Sequence, residues 1–242
     1  MNQEINNNEK ESGEQQSQQD AGAASQLLQP HLLTGFHQRG YLPHLKVEGG
    51  TYWVTLRLYD SLPKEVLAKL EEERKEWEKQ QRAKKIAPKE LAEQWKRLYS
   101  KRTQAYLDAG MGECWLKRDD IGGLVAKAIR FFEGKRYDLH AWVVMPNHGH
   151  VMVTPHERWT LSSILHSWKS YTATEANRIL GRVGEPFWQQ ESYDRLVRND
   201  QEFYLICEYT INNPVTAGLC AKPEDWKFSS SFVQKDTGTA SE

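Results

Sequence analysis

Hydrophobic and polar positions follow strand and helix periods from about residue 51 onward. Residues 51–58 form a β-branched and aromatic run that is typical of a strand. Further strands are predicted at 138–145, 148–154 and 187–197, and helices at 119–134, at 161–180 behind a Thr160 cap, and from an Asp200 cap to about Asn213. The last helix is expected to end there because Pro214 follows. This order predicts an α+β fold, with helices on one face of an antiparallel sheet.

Residues 63–109 predict an inserted, highly charged helical hairpin. Apolar residues recur at helical spacing on both sides of Pro88, between many Glu, Lys and Arg side chains. The charges are typical of a solvated helix face. The alternative is a surface for a nucleic-acid backbone, formed by Lys96, Arg97, Tyr99, Lys101 and Arg102.

The two ends of the chain differ from its middle. Residues 1–30 contain no aromatic side chain, so they cannot bury enough surface to offset ordering entropy, and a disordered tail is expected. The folded domain is expected at 31–232, followed by a flexible C-terminus at 233–242. The net charge of −1 divides into −4 for residues 1–30 and +3 for the remainder. A mild positive balance is compatible with a nucleic-acid partner but does not require one.

Composition excludes several classes of protein. No apolar run approaches the roughly 18 to 20 residues of a membrane span, and no secretory signal is present, so no membrane partner is expected. Cys114, Cys207 and Cys220 are far apart and odd in number, which excludes a disulfide framework and a CxxC zinc site. A cytoplasmic location is expected.

Two histidines, His148 and His150, begin the strand behind the Pro146-Asn147 turn. Residues two apart on a strand point to the same face, with Cα atoms about 6.5 to 7 Å apart, so both imidazoles can converge on one cation. The alternative is a pair of surface or core-edge histidines without a ligand.

The last predicted helix carries Tyr209 and Asn213, which are four residues apart and therefore neighbours on its surface. Both lie beside the predicted apolar stripe of that helix. A tyrosine hydroxyl there can act as a nucleophile, and an amide oxygen one turn later can be a third metal ligand. The alternative roles are packing for Tyr209 and helix termination for Asn213.

Together these motifs resemble the REP-associated tyrosine transposases, relatives of the small single-tyrosine HUH transposases. The resemblance rests on six stretches that occur in order between about residues 35 and 232. They begin at Arg39 (RGYLP), Tyr52 (YWVTLRL), Trp142 (WVVMPNHGH), His166 (HSWKSYTA), Phe187 (FWQQESYD) and Tyr209 (YTINNPVTAGL). The combination of PNHxH with YxxxNPV is much more specific than either motif alone.

The resemblance implies a ferredoxin-like, RRM-like core and a metal-dependent endonuclease and strand transferase for single-stranded DNA. It makes His148, His150 and Asn213 the ligands of Mg²⁺ or Mn²⁺, and Tyr209 the nucleophile that forms a 5′-phosphotyrosine. The implied partners are single-stranded DNA and hairpins of repetitive extragenic palindromes, for a nucleoid-associated monomer or homodimer. Phosphate contacts are predicted at Lys169, Arg178, Arg182, Arg195 and Arg198.

Other functions stay open at this point. The family usually has a bulky hydrophobic residue between the two histidines, where this chain has Gly149, and Gly weakens a strand. A domesticated hairpin-binding protein with reduced catalysis is therefore the main alternative. A phosphodiesterase that uses water as the nucleophile is another, and Tyr193 competes with Tyr209 as the nucleophile.

Overall fold

The fold is built on a four-stranded sheet that runs through the middle of the molecule. The computed structural model of the chain describes residues 35–39, 42–82, 94 and 101–233. The strands are β1 (Gly35–Arg39), β2 (Leu42–Lys46), β3 (Tyr52–Arg57), β4 (Tyr137–Val144), β5 (His148–Pro155) and β6 (Tyr193–Leu196). The α-helices are α1 (Lys64–Arg82), α2 (Asp119–Arg130), α3 (Leu161–Leu180) and α4 (Asp200–Thr216), with short 3₁₀ helices at Trp115–Lys117 and Pro223–Asp225.

The order of the strands in the sheet is that of a ferredoxin-like fold. The order is β4-β5-β3-β6, and each neighbouring pair is antiparallel. Helix α2 connects β3 to β4 and helix α3 connects β5 to β6, so each connection passes over one intervening strand. This is the split βαβ arrangement. The predicted α+β fold with an antiparallel sheet is confirmed.

The helices, however, divide between the two faces of the sheet. One face, called the core face here, carries Tyr52, Val54 and Leu56 and packs against α2 and α3. The other, called the site face, carries Trp53 and Met152 and packs against α4. The prediction had all helices on one face. All six residues of β3 are buried, so side chains on both faces of the strand need a covering helix to exclude water.

The ends of α3 agree with the sequence, whereas those of α4 differ. Helix α3 spans Leu161–Leu180, and the Thr160 side chain caps it by accepting from the N–H of Ser163. For α4 the cap is Asn199 rather than Asp200, and the helix continues past Pro214 to Thr216. A proline in the last turn removes only one N–H donor. The turn still closes because the N–H of Ala217 donates to the Asn213 carbonyl at 2.9 Å.

The fourth core strand is shorter than predicted. Only Tyr193–Leu196 pair with β3, opposite residues 52–55, and β6 forms one edge of the sheet. Upstream, Trp188 makes one isolated bridge to Leu58, and the remainder of 187–192 is a loop. The β1–β2 hairpin was not predicted.

The helical insertion is described in part. Helix α1 begins at Lys64, and residues 101–108 are helical as well, so both arms of the predicted hairpin contain helix. An ion pair between Arg102 and Glu73 links the two arms. The predicted break at Pro88, the residues Lys96, Arg97 and Tyr99, and the two chain ends at 1–30 and 234–242 lie outside the described residues.

Two expectations about composition can be compared with the structure. In the part of the chain that the structure describes, no helix is long and apolar enough to cross a membrane. All three cysteines of the chain are free thiols, so no disulfide contributes to the fold.

Candidate metal and nucleophile site

Both histidines of the HxH motif lie on the site face, near the start of β5. His148 pairs with Arg57 and His150 with Thr55 across the β3–β5 ladder. Their ring centroids are 4.8 Å apart, and neither residue is exposed to solvent. The predicted convergence of the two imidazoles is therefore present, and it is completely buried.

Each imidazole uses its Nδ1 atom for a hydrogen bond within the protein. Nδ1 of His148 lies 2.8 Å from Oδ1 of Asn147, and Nδ1 of His150 lies 3.0 Å from Oγ1 of Thr55. The Nε2 atoms of both rings are buried and have no hydrogen-bond partner. A buried polar atom without a partner is costly and calls for an explanation.

Asn213 supplies a third unsatisfied atom. It lies in the last turn of α4 and is only 3% exposed, so it is more deeply buried than its position beside the apolar stripe predicted. Its Oδ1 atom also has no hydrogen-bond partner. Two imidazole nitrogens and one amide oxygen are a donor set that suits a divalent cation. Among the described residues, no group of three His, Cys, Asp or Glu side chains could hold a metal ion, so the amide is needed to complete this set.

Burial keeps both imidazoles uncharged. Desolvation, with a smaller contribution from the Arg57 guanidinium, lowers the pKa of His148 to about 3. Desolvation and the neighbouring His148 lower the pKa of His150 well below its ordinary value. Neutral imidazole is the form that binds metals, so both rings are in a metal-binding protonation state at neutral pH.

Tyr209 lies over the second histidine. Its ring makes edge contacts with His150 and Trp53, each with a centroid separation of 5.6 Å. The residue is 38% exposed, so solvent reaches the tyrosine although the histidines beneath it are buried. Burial of part of the phenol and the nearby Asp108 carboxylate raise its pKa above the ordinary value, and a hydrogen bond with the Asn213 side chain opposes this shift.

Three residues that the sequence did not single out complete the site. Trp53 stacks on His150 with a centroid distance of 4.8 Å and an interplanar angle of 19°. Its indole N–H donates to Oγ1 of Thr210 at 3.1 Å, which attaches α4 to the sheet. Thr55 and Asn147 orient the two imidazoles. Trp53 and Thr55 could have been found from the sequence, because alternate residues of β3 lie on the same face of the strand.

Gly149 does not distort the strand that carries the histidines. It pairs in register with Leu56 on one side and Val144 on the other. A Cβ atom at this position would lie 3.3 Å from the Val143 carbonyl oxygen, which is a tight contact. The glycine therefore leaves the backbone geometry of the motif intact.

The competing tyrosine, Tyr193, lies within the apolar packing on the site face. It is only 5% exposed and makes an edge contact with Trp53 at a centroid distance of 5.9 Å. Tyr193 is the first residue of β6 and pairs with Thr55 of β3. Its burial is typical of a packing role.

The five basic residues predicted to contact phosphate each have a partner within the protein. Arg178 pairs with Glu175 at 2.6 Å, Arg195 pairs with Glu202, and the backbone N–H of Arg198 donates to Glu202. Arg182 lies over the Trp115 ring at 5.7 Å. Lys169 donates to the carbonyl oxygens of Gln189 and Gln190 at 2.5 and 2.8 Å. Their contact with DNA stays a prediction.

Comparisons with known proteins find similarity to transposases. Residues 116–213 match the family model of IS200-like transposases, and this range contains His148, His150, Tyr209 and Asn213. A curated relative, the REP-associated tyrosine transposase of Escherichia coli (strain K12), is 26% identical over 102 residues, which are 42% of this chain. The chain thus matches 58% of the length of that relative. A solved structure of a REP-associated tyrosine transposase bound to a REP hairpin aligns over 81% of this chain and 82% of its own, with 18% identity and a TM-score of 0.44.

The structure thus combines a buried histidine pair on a ferredoxin-like sheet with a tyrosine and an amide from one helix. Residues 116–213 of the chain are similar to the family of IS200-like transposases, and its curated relative is a REP-associated tyrosine transposase. The family resemblance inferred from the motifs is confirmed.

Proposed function

We propose that this protein is a metal-dependent endonuclease and strand transferase for single-stranded DNA. The observation that carries the proposal is a set of three buried ligand atoms without hydrogen-bond partners, on residues around a partly exposed tyrosine: His150 and Asn213 contact Tyr209, and His148 lies beside His150. Those atoms are Nε2 of His148, Nε2 of His150 and Oδ1 of Asn213. Buried polar atoms without hydrogen-bond partners are costly, and a bound ligand would satisfy all three of them.

A divalent cation, Mg²⁺ or Mn²⁺, fits this donor set. When bound, it would polarise a phosphate oxygen and stabilise the charge that develops there during phosphoryl transfer. The chain holds the ligands in place through the two Nδ1 hydrogen bonds and through the packing of Trp53 against His150. These contacts organise the site before DNA binds.

Tyr209 is the nucleophile in this proposal. Its Oη attacks the scissile phosphorus, the bond from phosphorus to the 3′ oxygen breaks, and the 3′ oxygen leaves as a hydroxyl after taking up a proton. The product is a 5′-phosphotyrosine, and reversal by another 3′-hydroxyl rejoins DNA without ATP. The raised pKa keeps the phenol protonated at neutral pH, so Tyr209 must lose its proton as it attacks.

The substrate that we propose is a DNA hairpin with adjoining single-stranded nucleotides. The support is the family of residues 116–213 and the similarity to a REP-associated tyrosine transposase. Lys169, Arg178, Arg182, Arg195 and Arg198 stay the candidate phosphate contacts. Trp53 and Tyr209 are aromatic side chains at the site itself. We propose a monomer or homodimer that acts in the cytoplasm on nucleoid DNA.

The decisive experiment traps the covalent intermediate. The full chain is incubated with a hairpin oligonucleotide labelled at its 3′ end, in Mn²⁺ or in EDTA, and separated on a denaturing gel. A 5′-phosphotyrosine retains the 3′ label on the protein, whereas a 5′ label appears on a free fragment. Tyr209→Phe should abolish the adduct, and Tyr193→Phe should retain it.

Each of the other possible outcomes would indicate a different mechanism or activity. Mass spectrometry that finds the nucleotide on Tyr193 would reverse the assignment of the nucleophile. Cleavage without an adduct would indicate a phosphodiesterase that uses water. Hairpin binding without cleavage in Mn²⁺ would indicate the domesticated binding protein that Gly149 suggested.

A further inference from the structure

Asn147 lies between the candidate metal site and the segment that follows the helical insertion. It occupies the turn between β4 and β5, immediately before His148, and is only 1% exposed. Its backbone carbonyl accepts from the N–H of Leu58 at 2.9 Å, which ties the turn to the end of β3. Its side chain is therefore held in a fixed position beside His148.

The orientation of the Asn147 amide follows from its second partner. Its Nδ2 atom donates to the backbone carbonyl oxygen of Met111 at 2.9 Å. A carbonyl oxygen only accepts hydrogen bonds, so the NH₂ group must face Met111. The amide oxygen then faces Nδ1 of His148, as the 2.8 Å contact between those atoms requires.

This arrangement determines which imidazole nitrogen carries the proton. An amide oxygen cannot donate, so Nδ1 of neutral His148 must be the protonated nitrogen. Nε2 then keeps its lone pair, and it is the atom that has no partner in the buried site. The contact of His150 differs, because the Thr55 hydroxyl can either donate or accept.

We infer that Asn147 is a positioning residue that holds His148 in its metal-binding tautomer, and that the Met111 carbonyl, in the segment after the helical insertion, fixes Asn147 in turn. This inference rests on the proposed function in taking His148 as a ligand. Partners that orient a metal-bound histidine typically change metal affinity by about 10- to 100-fold when they are removed.

The first test measures metal binding without DNA. Mn²⁺ is titrated calorimetrically into the wild-type chain, Asn147→Leu and the control Asn177→Leu. Asn177 is also buried and donates its amide to a backbone carbonyl, that of Glu185 at 2.6 Å, but it lies near the end of α3 on the core side. We expect Asn147→Leu to weaken Mn²⁺ binding by about 10- to 100-fold. Asn177→Leu should keep the wild-type affinity despite its own loss of stability. An unchanged dissociation constant in Asn147→Leu would overturn the inference.

The second test needs no variant and no metal. Long-range ¹H–¹⁵N spectra of the metal-free wild-type chain report which nitrogen of His148 is protonated. We expect the proton on Nδ1, and a proton on Nε2 would overturn the inference even if Asn147→Leu failed to fold. Failure of the proposed function would look different, because the wild-type chain would then bind no Mn²⁺ and form no adduct while His148 kept its Nδ1 proton.

Discussion

His148 and His150 differ from surface histidines because burial removes their capacity to hold a charge. The lowered pKa of each ring means that neither imidazole is in the cationic form, which cannot bind a metal ion, at neutral pH. The hydrogen bonds at Nδ1 also fix the orientation of both imidazole rings. Burial and second partners thus turn two common side chains into matched ligands.

Removing either imidazole should abolish the covalent adduct. His148→Ala and His150→Ala each delete one ligand atom, so we expect no adduct on denaturing gels at limiting Mn²⁺. Because both residues are completely buried, some loss of stability accompanies the change. Hairpin binding measured in EDTA shows whether the variant is folded.

The matched control for these variants is His140→Ala. His140 is exposed on the neighbouring strand β4, where its Nε2 atom lies 2.7 Å from the Thr154 hydroxyl. This variant should form adduct at the wild-type rate. A wild-type rate in folded His148→Ala or His150→Ala would contradict the metal-site assignment.

Lys169 gives the molecule a pH dependence at alkaline values. Desolvation and the Arg57 guanidinium lower its pKa to about 8, and Glu191 opposes them. The ordinary value is 10.5. Between these two values the unfolded chain binds more protons at this site than the folded chain. The free energy of unfolding of the wild type should therefore rise, relative to Lys169→Gln, as the pH increases from 8 to 10.5.

Urea denaturation across that pH range checks the Lys169 prediction. Lys127→Gln, which changes an exposed lysine of α2, is the control and should differ from the wild type by a constant amount. A constant difference for Lys169→Gln as well would show that its ammonium group is not desolvated in the fold.

At the scale of elements, α3 depends on a capping box at its first turn. The Thr160 side chain accepts from the Ser163 N–H at 3.1 Å, and Ser163 Oγ accepts from the Thr160 N–H at 3.3 Å. Thr160→Ala should lower the free energy of unfolding by about 1 kcal/mol, because it leaves a terminal N–H without its partner.

Chemical denaturation measures this effect against Thr174→Ala. Thr174 is an exposed residue within the same helix and donates to the Ser170 carbonyl at 3.0 Å. Its replacement should be neutral or slightly stabilising, because alanine is the better helix former. Equal losses in both variants would contradict a specific capping role for Thr160.

At the scale of the whole molecule, the acidic end of the chain is expected to be dispensable. Residues 1–30 contain no aromatic anchor and only one basic side chain. Deleting them should change the melting temperature and the rate of adduct formation little. A large loss of hairpin affinity in the truncated chain would instead identify the segment as a DNA-binding arm.

Local sequence patterns predicted much of the fold. The β-branched and aromatic run of β3, the strand after the Pro146-Asn147 turn, the helical period of α3 and the Thr160 cap are all local properties, and they appear where the sequence placed them. The same holds for His148 and His150, because alternation alone puts residues two apart on one face of a strand. Tyr209 and Asn213 were likewise neighbours by helix geometry before any packing was known.

Tertiary packing decided which helix covers each face of the sheet and which side chains meet at the candidate site. Alternation along β3 does not indicate which helix covers each face of the strand. The docking of α4 through Trp53 and Thr210 is what brings Tyr209 over His150. Likewise, the contact of Asn147 with Met111 joins residues 36 positions apart. The candidate ligands were thus determined by the sequence. Their burial, their unpartnered atoms and the tautomer of His148 arise from contacts between segments distant in the chain, on which local periodicity carries no information.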